Sequence, residues 1–276
     1  MPARTQLSHV RSGAMLFGMW NMPRRTWLVL LSCLIGASGH AADLGIAPSR
    51  IEVTGEPGTV VIASATVVTS SKHAQQIAVD LSDWTMGLSG SLTYMPSSTV
   101  AASAAPWLTV GSDVFEIAPG GSVDVAIAAQ IPHDADGTHH AMVLFAVIPA
   151  ARGNANVGVT TTTRIGLTVY VTVAGTERDG SELIDMYQGD HHSLTAVILN
   201  TGNTVMRLGG VVEIRDEAGG VVHRLNVPDV PVLRESEREL TFALPEDLES
   251  GFYVALALIE DSRGGVLAGE LPFDVP

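Results

Sequence analysis

Apolar and polar residues alternate in short runs along most of this 276-residue chain. Val123, Val125 and Ile127 alternate with Asp124 and small residues, and the longest run, 157–173, keeps apolar residues or Thr at its odd positions. Alternation at period two is typical of a β-strand that packs one face on a core. Gly pairs and Pro separate the runs, as turns separate strands. The pattern predicts an all-β protein in which 46–53 is a short strand, 87–105 is a long loop and 157–173 is one long strand.

One block of this pattern occurs twice. Residues 131–145 align without a gap with residues 244–258, and each block contains an apolar strand end, Pro, an acidic turn and an aromatic-type pair entering an apolar strand. In immunoglobulin-like sandwiches a Tyr near the start of the penultimate strand ties a corner to the backbone. Tyr253 occupies that place, and His140 is its equivalent in the first copy. Two copies predict two tandem immunoglobulin-like β-sandwich domains.

Domain boundaries follow from the segment between the two series of strands. Residues 176–181 are polar and charged, which is typical of a linker. We expect an N-terminal domain at 43–175, a linker at 176–181 and a C-terminal domain at 182–276.

Residues 1–42 have the features of an export leader. A basic start at 22–25 precedes the apolar run 27–36 and small residues that end near Ala41, which together predict a signal peptide at 22–41 or 22–42. Residues 1–21 lie upstream, and translation starts at Met1 or at Met22. The apolar run is about half of the ~20 residues that span a bilayer, so we expect no membrane span after cleavage.

Charge and cysteine content exclude several classes of function. The first 42 residues hold four Arg and no acid, which leaves 11 basic and 29 acidic residues in the rest of the chain. Such an acidic protein repels phosphate backbones and anionic lipid, so nucleic-acid binding is not expected. The single cysteine, Cys33, lies in the leader. Without a Cys nucleophile, a Gly-x-Ser-x-Gly elbow or a phosphate-binding loop, we expect no enzyme activity, no catalytic residue and no cofactor.

A group of histidines and acids is the main candidate for a metal site. Its members are His133, Asp134, Asp136, His139 and His140, and His191-His192 form a second pair. Acids are common on turns, and the spacings of zinc sites are absent. We therefore assign no metal ligands, and a metal-binding role remains an alternative.

Two arginines are the candidate binding residues. Arg50 lies on the first predicted strand of its domain and Arg164 lies midway along the last. Because these strands are neighbours in this class of sandwich, both guanidinium groups are expected to face one groove. Paired guanidiniums hold a carboxylate by charge-assisted hydrogen bonds. The alternative is that both are solvated surface residues.

Four segments, taken in order, resemble the periplasmic pilus-assembly chaperones of the PapD-like family. They are residues 46–55 (IAPSRIEVTG), 114–121 (VFEIAPGG), 131–149 and 164–167 (RIGL). The resemblance covers about 46–173, and the second domain only in outline. It implies a periplasmic protein of two immunoglobulin-like domains whose cleft receives a secreted, β-rich pilus or fimbrial subunit. An outer-membrane usher is a second candidate partner.

The resemblance also assigns residues. It implies that Arg50 matches the arginine that holds the subunit's terminal carboxylate. It implies further that the strand beginning at Val157 pairs with the subunit and supplies alternate side chains to it by β-augmentation. These donor positions are Val157, Val159, Thr161, Thr163 and Ile165.

Two departures from the family pattern are evident. Gly166 occupies the place of the family's second carboxylate-holding residue, a lysine, and Arg164 lies two residues away on the same strand face as a substitute. Thr161 and Thr163 are also less apolar than is usual for donor positions. The preferred function is a chaperone for secreted fibre subunits. The alternatives are a structural or adhesive immunoglobulin-like surface protein and a periplasmic metal-binding protein.

Overall fold

The computed structural model describes residues 44–149, 162–189 and 192–276. These residues form eighteen β-strands and one short 3-10 helix. No helix among them has the length and apolarity that crossing a membrane requires. The predicted signal peptide at 22–41 or 22–42 and the donor positions Val157, Val159 and Thr161 lie outside the described residues.

The first half of the chain forms one sandwich of two sheets. Its strands are β1 (Leu44–Ala47), β2 (Arg50–Gly55), β3 (Val60–Thr69), β4 (Gln75–Met86), β5 (Leu92–Pro96), β6 (Leu108–Val110), β7 (Val114–Ile117), β8 (Ser122–Gln130), β9 (Thr138–Val147) and β10 (Arg164–Val173), with the 3-10 helix at Ala105–Trp107. One sheet has the order β1-β3-β8-β6. The other has the order β2-β10-β9-β4-β5, and β7 also pairs with β4.

β10 shows the period-two alternation that the sequence predicts. Leu167, Val169, Val171 and Val173 are buried in the core between the two sheets. The residues at even positions lie on the opposite face because successive strand residues point to opposite sides. The predicted strand 157–173 is not continuous, however, because residues 162–163 are not part of a strand and β10 begins at Arg164, whereas residues 157–161 lie outside the described residues.

β2 and β10 form a parallel pair, with Arg50 opposite Thr168 and Gly55 opposite Val173. All other strand pairs in the described sheets are antiparallel. The strand that contains Arg50 and the last strand of this sandwich are therefore neighbours, as predicted.

Two local predictions were wrong. Residues 46–53 were expected to form one strand, but the chain leaves β1 at Pro48, crosses to the other sheet and continues as β2. Proline has no N–H to donate and therefore ends a strand inside a sheet. Residues 87–105 were expected to form a long loop, yet they contain β5, which pairs with β4.

The second half of the chain forms another sandwich. Its strands are β11 (Ser181–Gly189), β12 (Ser193–Asn200), β13 (Met206–Arg215), β14 (Val221–Asn226), β15 (Val230–Val232), β16 (Glu237–Ala243), β17 (Gly251–Asp261) and β18 (Val266–Val275). One sheet has the order β11-β12-β16. The other has the order β14-β13-β17-β18, and β15 also pairs with β13. With its own core between these sheets, the architecture is two β-sandwiches, which confirms the predicted fold class.

The repeated block has the same structure in both sandwiches. β9 begins at Thr138 and β17 at Gly251, which are aligned positions of the two blocks. The Tyr253 hydroxyl donates a hydrogen bond of 2.9 Å to the Glu249 carbonyl, four residues upstream, as a tyrosine corner requires. His140 differs, because its Nε2 lies 3.0 Å from the carbonyl of Trp84 on the neighbouring strand β4.

Contacts between the sandwiches centre on Asp136, in the turn before β9. Its carboxylate accepts hydrogen bonds from Arg178 (3.1 Å), Asn203 (2.9 Å) and Arg234 (3.3 Å). These bonds hold the pKa of Asp136 below its usual value, and the hydrogen bond from Asn203 has the largest effect. An acid of the repeated turn in the first sandwich thus joins the two halves of the molecule.

Candidate functional site

The candidate site lies on the outer face of the sheet that contains β2, β10, β9, β4 and β5. This outer face is formed by even-numbered residues, and the core is on the other side of the sheet. Register places Arg50 beside Thr168, Thr168 beside Met142, and Met142 beside Ser82. Cross-strand neighbours share a face, so Arg50 and the even residues of β10 belong to one surface.

Arg50 is already paired with an acid. Its Nε lies 2.7 Å from Oε1 of Glu52, the next outward residue of β2. The same oxygen lies 4.0 Å from a guanidinium nitrogen of Arg207, which belongs to the second sandwich, and Arg207 Nε donates to Asp229 at 2.6 Å. The hydrogen bond from Arg207 lowers the pKa of Asp229. Arg50 is therefore one end of a chain of alternating charges that crosses between the sandwiches.

Arg164 is the first residue of β10 and lies on the same outer face. It forms no ion pair or hydrogen bond with any residue that the structure describes. Its position is four residues before Thr168, the register partner of Arg50, so the two backbones are about 13 Å apart along the strand. The arginines share a face, and only Arg164 is free of an acidic partner.

Gly166 lies between these two positions on β10. A Cβ atom built on Gly166 would lie 2.7 Å from Sδ and 3.2 Å from Cγ of Met142, which extends over it from β9. Because real Cβ contacts are longer, a side chain at this position would require Met142 to move. The place that the family resemblance gives to a lysine is therefore covered by a methionine.

The two described donor positions, Thr163 and Ile165, contact the protein itself. Ile165 is half-buried and packs against the core of the first sandwich. Thr163 precedes β10, and its carbonyl accepts a hydrogen bond of 3.1 Å from the Val147 N–H. These contacts tie the start of β10 to β9.

One edge of β10 is open over its first four residues. β9 pairs with β10 from Arg164 onward, whereas β2 begins to pair only at Thr168. No strand among the described residues covers the β2 side of residues 164–167. The Thr168 N–H points to that side, since it donates to the Ser49 carbonyl at 3.2 Å. Because backbone direction alternates along a strand, the N–H and C=O groups of Gly166 and Arg164 point to the open edge as well.

A groove of about 450 Å³ crosses the outer face next to this edge. Its lining includes Asp80, Ser82, Tyr94, Leu144, Arg164 and Gly166. The groove therefore lies beside a cation and a strand edge that have no partner among the described residues, and polar and apolar side chains both line it.

A second cavity, of about 400 Å³, lies between the sandwiches. It is lined by polar groups that include Glu52, Tyr170, Arg207 and Arg263. Burial raises the pKa of Tyr170 to about 12, so its hydroxyl stays protonated at neutral pH. Glu52 and Arg207 line this cavity and also belong to the chain of alternating charges that begins at Arg50, so the two features adjoin.

Two histidines of the candidate metal site, His139 and His140, pack against tryptophan rings. The His139 ring lies 4.1 Å from the Trp107 ring, and His140 packs 4.7 Å from Trp84. Burial lowers the pKa of both histidines. In the part of the chain that the structure describes, no three His, Cys, Asp or Glu residues are grouped to hold a metal ion. His191 lies outside that part.

Sequence reasoning missed Glu52, Met142 and Arg207. The alternation of β2 could have identified Glu52, because it lies two residues after Arg50 and therefore on the same face. Met142 over Gly166 depends on the register of β9 and β10, and Arg207 depends on how the second sandwich meets the first. Neither relation has a signal in the sequence pattern.

No protein-family model and no curated protein match this chain. Solved structures match over most of it. The chaperone YadV is 9% identical, with a TM-score of 0.47, and the match covers 84% of this chain and 100% of that one. The class 5 fimbriae chaperone CfaA is 12% identical, with a TM-score of 0.46 and coverage of 84% and 99%.

A third match is the chaperone–tip adhesion subunit pre-assembly complex CsuC–CsuE from the archaic chaperone-usher Csu pili of Acinetobacter baumannii. It has 11% identity, a TM-score of 0.45 and coverage of 83% and 97%.

Proposed function

We propose that this protein is a periplasmic chaperone-like binding protein for secreted, β-rich subunits of the pilus or fibre type. It binds them by adding a strand of the subunit to β10 and by holding the subunit's carboxylate with Arg50 or Arg164, whichever lies at the carboxyl end of the added strand. An outer-membrane usher is a second partner in this proposal. The proposal includes the signal peptide at 22–41 or 22–42 and domains at 43–175 and 182–276 joined by 176–181. It assigns no catalytic residue.

The observation that carries the proposal is the open edge of β10 at residues 164–167. Outward N–H and C=O groups at Arg164 and Gly166 are the groups that an added strand would bind. An uncovered strand edge is a template for another chain, and proteins usually cover or charge such edges. Strand addition supplies affinity through main-chain hydrogen bonds and selectivity through alternate side chains.

The two arginines lie at opposite ends of this edge. β2 starts at Arg50, opposite Thr168, so an added strand that runs parallel to β10 ends at Arg50. A strand that runs antiparallel ends at Arg164. In the first case the carboxylate must displace Glu52, which now lies 2.7 Å from Arg50 Nε. In the second case it meets a guanidinium without a described partner.

A peptide comparison tests carboxylate capture. The probe is an acetylated nine-residue peptide of alternating Thr and Val, made with a free C-terminal carboxylate and with a C-terminal amide. Because a charge-assisted hydrogen bond contributes roughly 1.5–3 kcal/mol, we expect the acid to bind about tenfold tighter in fluorescence anisotropy. Arg50→Ala removes this preference if the strand is parallel, and Arg164→Ala removes it if the strand is antiparallel.

Lys72→Ala is the matched control, because Lys72 is an exposed cation of the same sandwich without an ion pair among the described residues. It should leave the acid preference unchanged. If the preference survives in the double variant Arg50→Ala/Arg164→Ala, carboxylate capture by these residues is wrong.

A further inference from the structure

The cavity between the sandwiches has a buried hydroxyl group in its wall. Tyr170 of β10 lines this cavity of about 400 Å³ and is only 5% exposed. Its hydroxyl group makes no hydrogen bond with any residue that the structure describes. The oxygen opens into the cavity, since the enclosed side-chain atoms without a partner in the described residues are Trp84 Nε1, His140 Nδ1 and Arg238 Nε. Burying an unbonded hydroxyl group is unfavourable, so this group is expected to bind something that enters the cavity.

The second sandwich contributes further donors to this cavity. The Ser262 oxygen accepts a hydrogen bond of 3.1 Å from the Arg207 N–H, and the Ser262 hydroxyl proton has no acceptor among the described residues. Arg207 directs Nε and Nη2 to Asp229, whereas its Nη1 lies 4.0 Å from Glu52 Oε1, which is too long for a hydrogen bond. Two hydroxyl groups and one guanidinium nitrogen at the cavity thus have no acceptor in the part of the chain that the structure describes.

These donors lie close together. Burial raises the pKa of Tyr170 to about 12, and the positive charge of Arg207 opposes this shift, so Arg207 is near the Tyr170 hydroxyl group. Ser262 is bonded to Arg207 twice, because its own N–H also donates to the Arg207 carbonyl at 2.8 Å. The three residues come from β10, β13 and the turn between β17 and β18. One ligand in this cavity can therefore contact both sandwiches.

An ionised carboxylate has the chemistry that these donors require. It carries only acceptors, two oxygen atoms that bind a guanidinium group and hydroxyl groups at the same time. The two arginines that line the cavity, Arg207 and Arg263, are already balanced by acids at Glu52, Asp229 and Asp179. A phosphate dianion would meet stronger repulsion from these acids than a carboxylate, which carries a single charge. The cavity therefore favours a monocarboxylate.

We propose that this cavity binds a small monocarboxylate, held by the Tyr170 and Ser262 hydroxyl groups and by Nη1 of Arg207. The inference goes beyond the proposed function, because the ligand is a separate small molecule and not the end of a subunit strand. Since the donors belong to both sandwiches, the bound ligand joins the two halves of the molecule.

The register of β10 separates this site from the strand edge. A strand added at residues 164–167 stops at Arg50, where β2 begins to pair with β10. Tyr170 lies two residues beyond that point, opposite Glu52, so its edge of β10 is already covered by β2. A subunit strand on the open edge therefore does not extend to the wall that Tyr170 forms.

An NMR titration of the isotope-labelled full chain tests the inference. The probes are sodium acetate, its neutral analogue acetamide and sodium phosphate, with the ionic strength held constant by sodium chloride. We expect acetate to shift the amide signals of Ser262 and Arg207. Acetate should bind about tenfold tighter than acetamide, because hydrogen bonds to a charged acceptor are stronger than those to a neutral one. Phosphate should bind more weakly than acetate.

Tyr170→Phe removes the hydroxyl group and keeps the ring in its packed position. It should weaken acetate binding about tenfold, since one hydrogen bond to a charged group is lost. Tyr187→Phe is the matched control, because Tyr187 is 39% exposed and does not line the cavity. Ser262→Ala provides a second variant with the same expected direction if Tyr170→Phe does not fold.

Arg207→Gln should abolish the preference for acetate over acetamide by removing the guanidinium group. Arg215→Gln is its matched control, because Arg215 belongs to the same strand, β13, and is also paired with an acid, Glu213, but does not line the cavity. The control should leave the preference for acetate unchanged.

Several outcomes would overturn the inference. If neither amide signal responds to acetate, the cavity holds water only. If acetamide or phosphate binds as tightly as acetate, the ligand class is wrong. If Tyr170→Phe and Ser262→Ala both bind acetate as the wild type does, the ion binds elsewhere.

The acid form of the Thr and Val peptide separates this inference from the proposed function. We expect the peptide and acetate to bind together. If the peptide displaces acetate from the cavity, the site serves the subunit's own carboxylate and a separate ligand is wrong, while the proposed function stands. If acetate binds and no peptide does, the proposed function fails and the cavity site stands.

Discussion

At the scale of single residues, the buried acid Asp83 stabilises the loop that follows β5. Its side chain is fully buried, at 0% exposure, and accepts hydrogen bonds from the Thr99 N–H (2.7 Å), the Val100 N–H (2.9 Å) and the Ser103 hydroxyl (2.6 Å). A buried carboxylate is tolerated only when it is fully hydrogen-bonded, and here the loop backbone supplies the donors. This network shapes one end of the sandwich without contributing to the β10 edge.

Asp83→Ala is therefore expected to lower the free energy of unfolding by about 3 kcal/mol, because two backbone N–H groups and the buried Ser103 hydroxyl lose their charged acceptor. Urea unfolding followed by circular dichroism measures the change. Asp80→Ala is the control, since Asp80 is exposed on the same strand and accepts only from its neighbour Leu81. Equal effects of the two variants would contradict the account of Asp83.

At the scale of strands, the sequence predicts those elements whose burial alternates. β8 and β10 were recognisable because one face of each is apolar and the other is not. β5 was not, because nearly all of its residues are exposed and its pattern therefore resembles that of a loop. The split between β1 and β2 was missed for another reason. Both are short, and only the position of Pro48 marks the change of sheet.

The corner before β17 is an element that the sequence predicts in detail. Tyr253→Phe removes the hydroxyl that donates to the Glu249 carbonyl and should lower the free energy of unfolding by about 1 kcal/mol. Thermal unfolding monitored by circular dichroism checks this. Tyr187→Phe serves as the control because Tyr187 is 39% exposed. If Tyr253→Phe leaves the stability unchanged, or lowers it no more than Tyr187→Phe does, the corner hydrogen bond is not stabilising.

At the scale of the whole molecule, the relations between the sandwiches could not be read from the sequence. Arg207 and Glu52 are far apart in the chain and have no shared pattern, yet they meet in one row of charges. The same holds for Leu88, whose carbonyl accepts a 2.9 Å hydrogen bond from the Glu239 N–H. The candidate arginines were predictable because cations are few in the first domain. The pairing of Glu52 with Arg50 and the position of Met142 over Gly166 can be seen only in the folded structure.

The Asp136 junction makes a prediction about pH. Because the folded protein lowers the pKa of Asp136, its carboxylate contributes stability above the unfolded pKa, near 4, and loses it as the pH falls through the lower folded value. Asp136→Asn should therefore be less stable than the wild type at pH 7, and the difference should shrink below pH 4. Urea midpoints at pH 7, 5 and 3 measure it.

Asp134→Asn is the control for this experiment, because Asp134 is an exposed acid of the same turn without an ion pair among the described residues. It should show no such pH-dependent difference. A stability gap for Asp136→Asn that stays constant between pH 7 and pH 3 would rule out the ionised carboxylate as its cause.

The parallel pair of β2 and β10 has a consequence for the order in which the first sandwich forms. β2 is synthesised early, but its partner β10 follows only after nearly the whole first sandwich. Contacts between segments so distant along the chain form late, because the long intervening loop must first be closed. The sheet is thus completed by its last strand to arrive. In the proposed function the same strand carries the edge that a subunit would bind, so subunit binding would begin only once the protein's own first sandwich is closed.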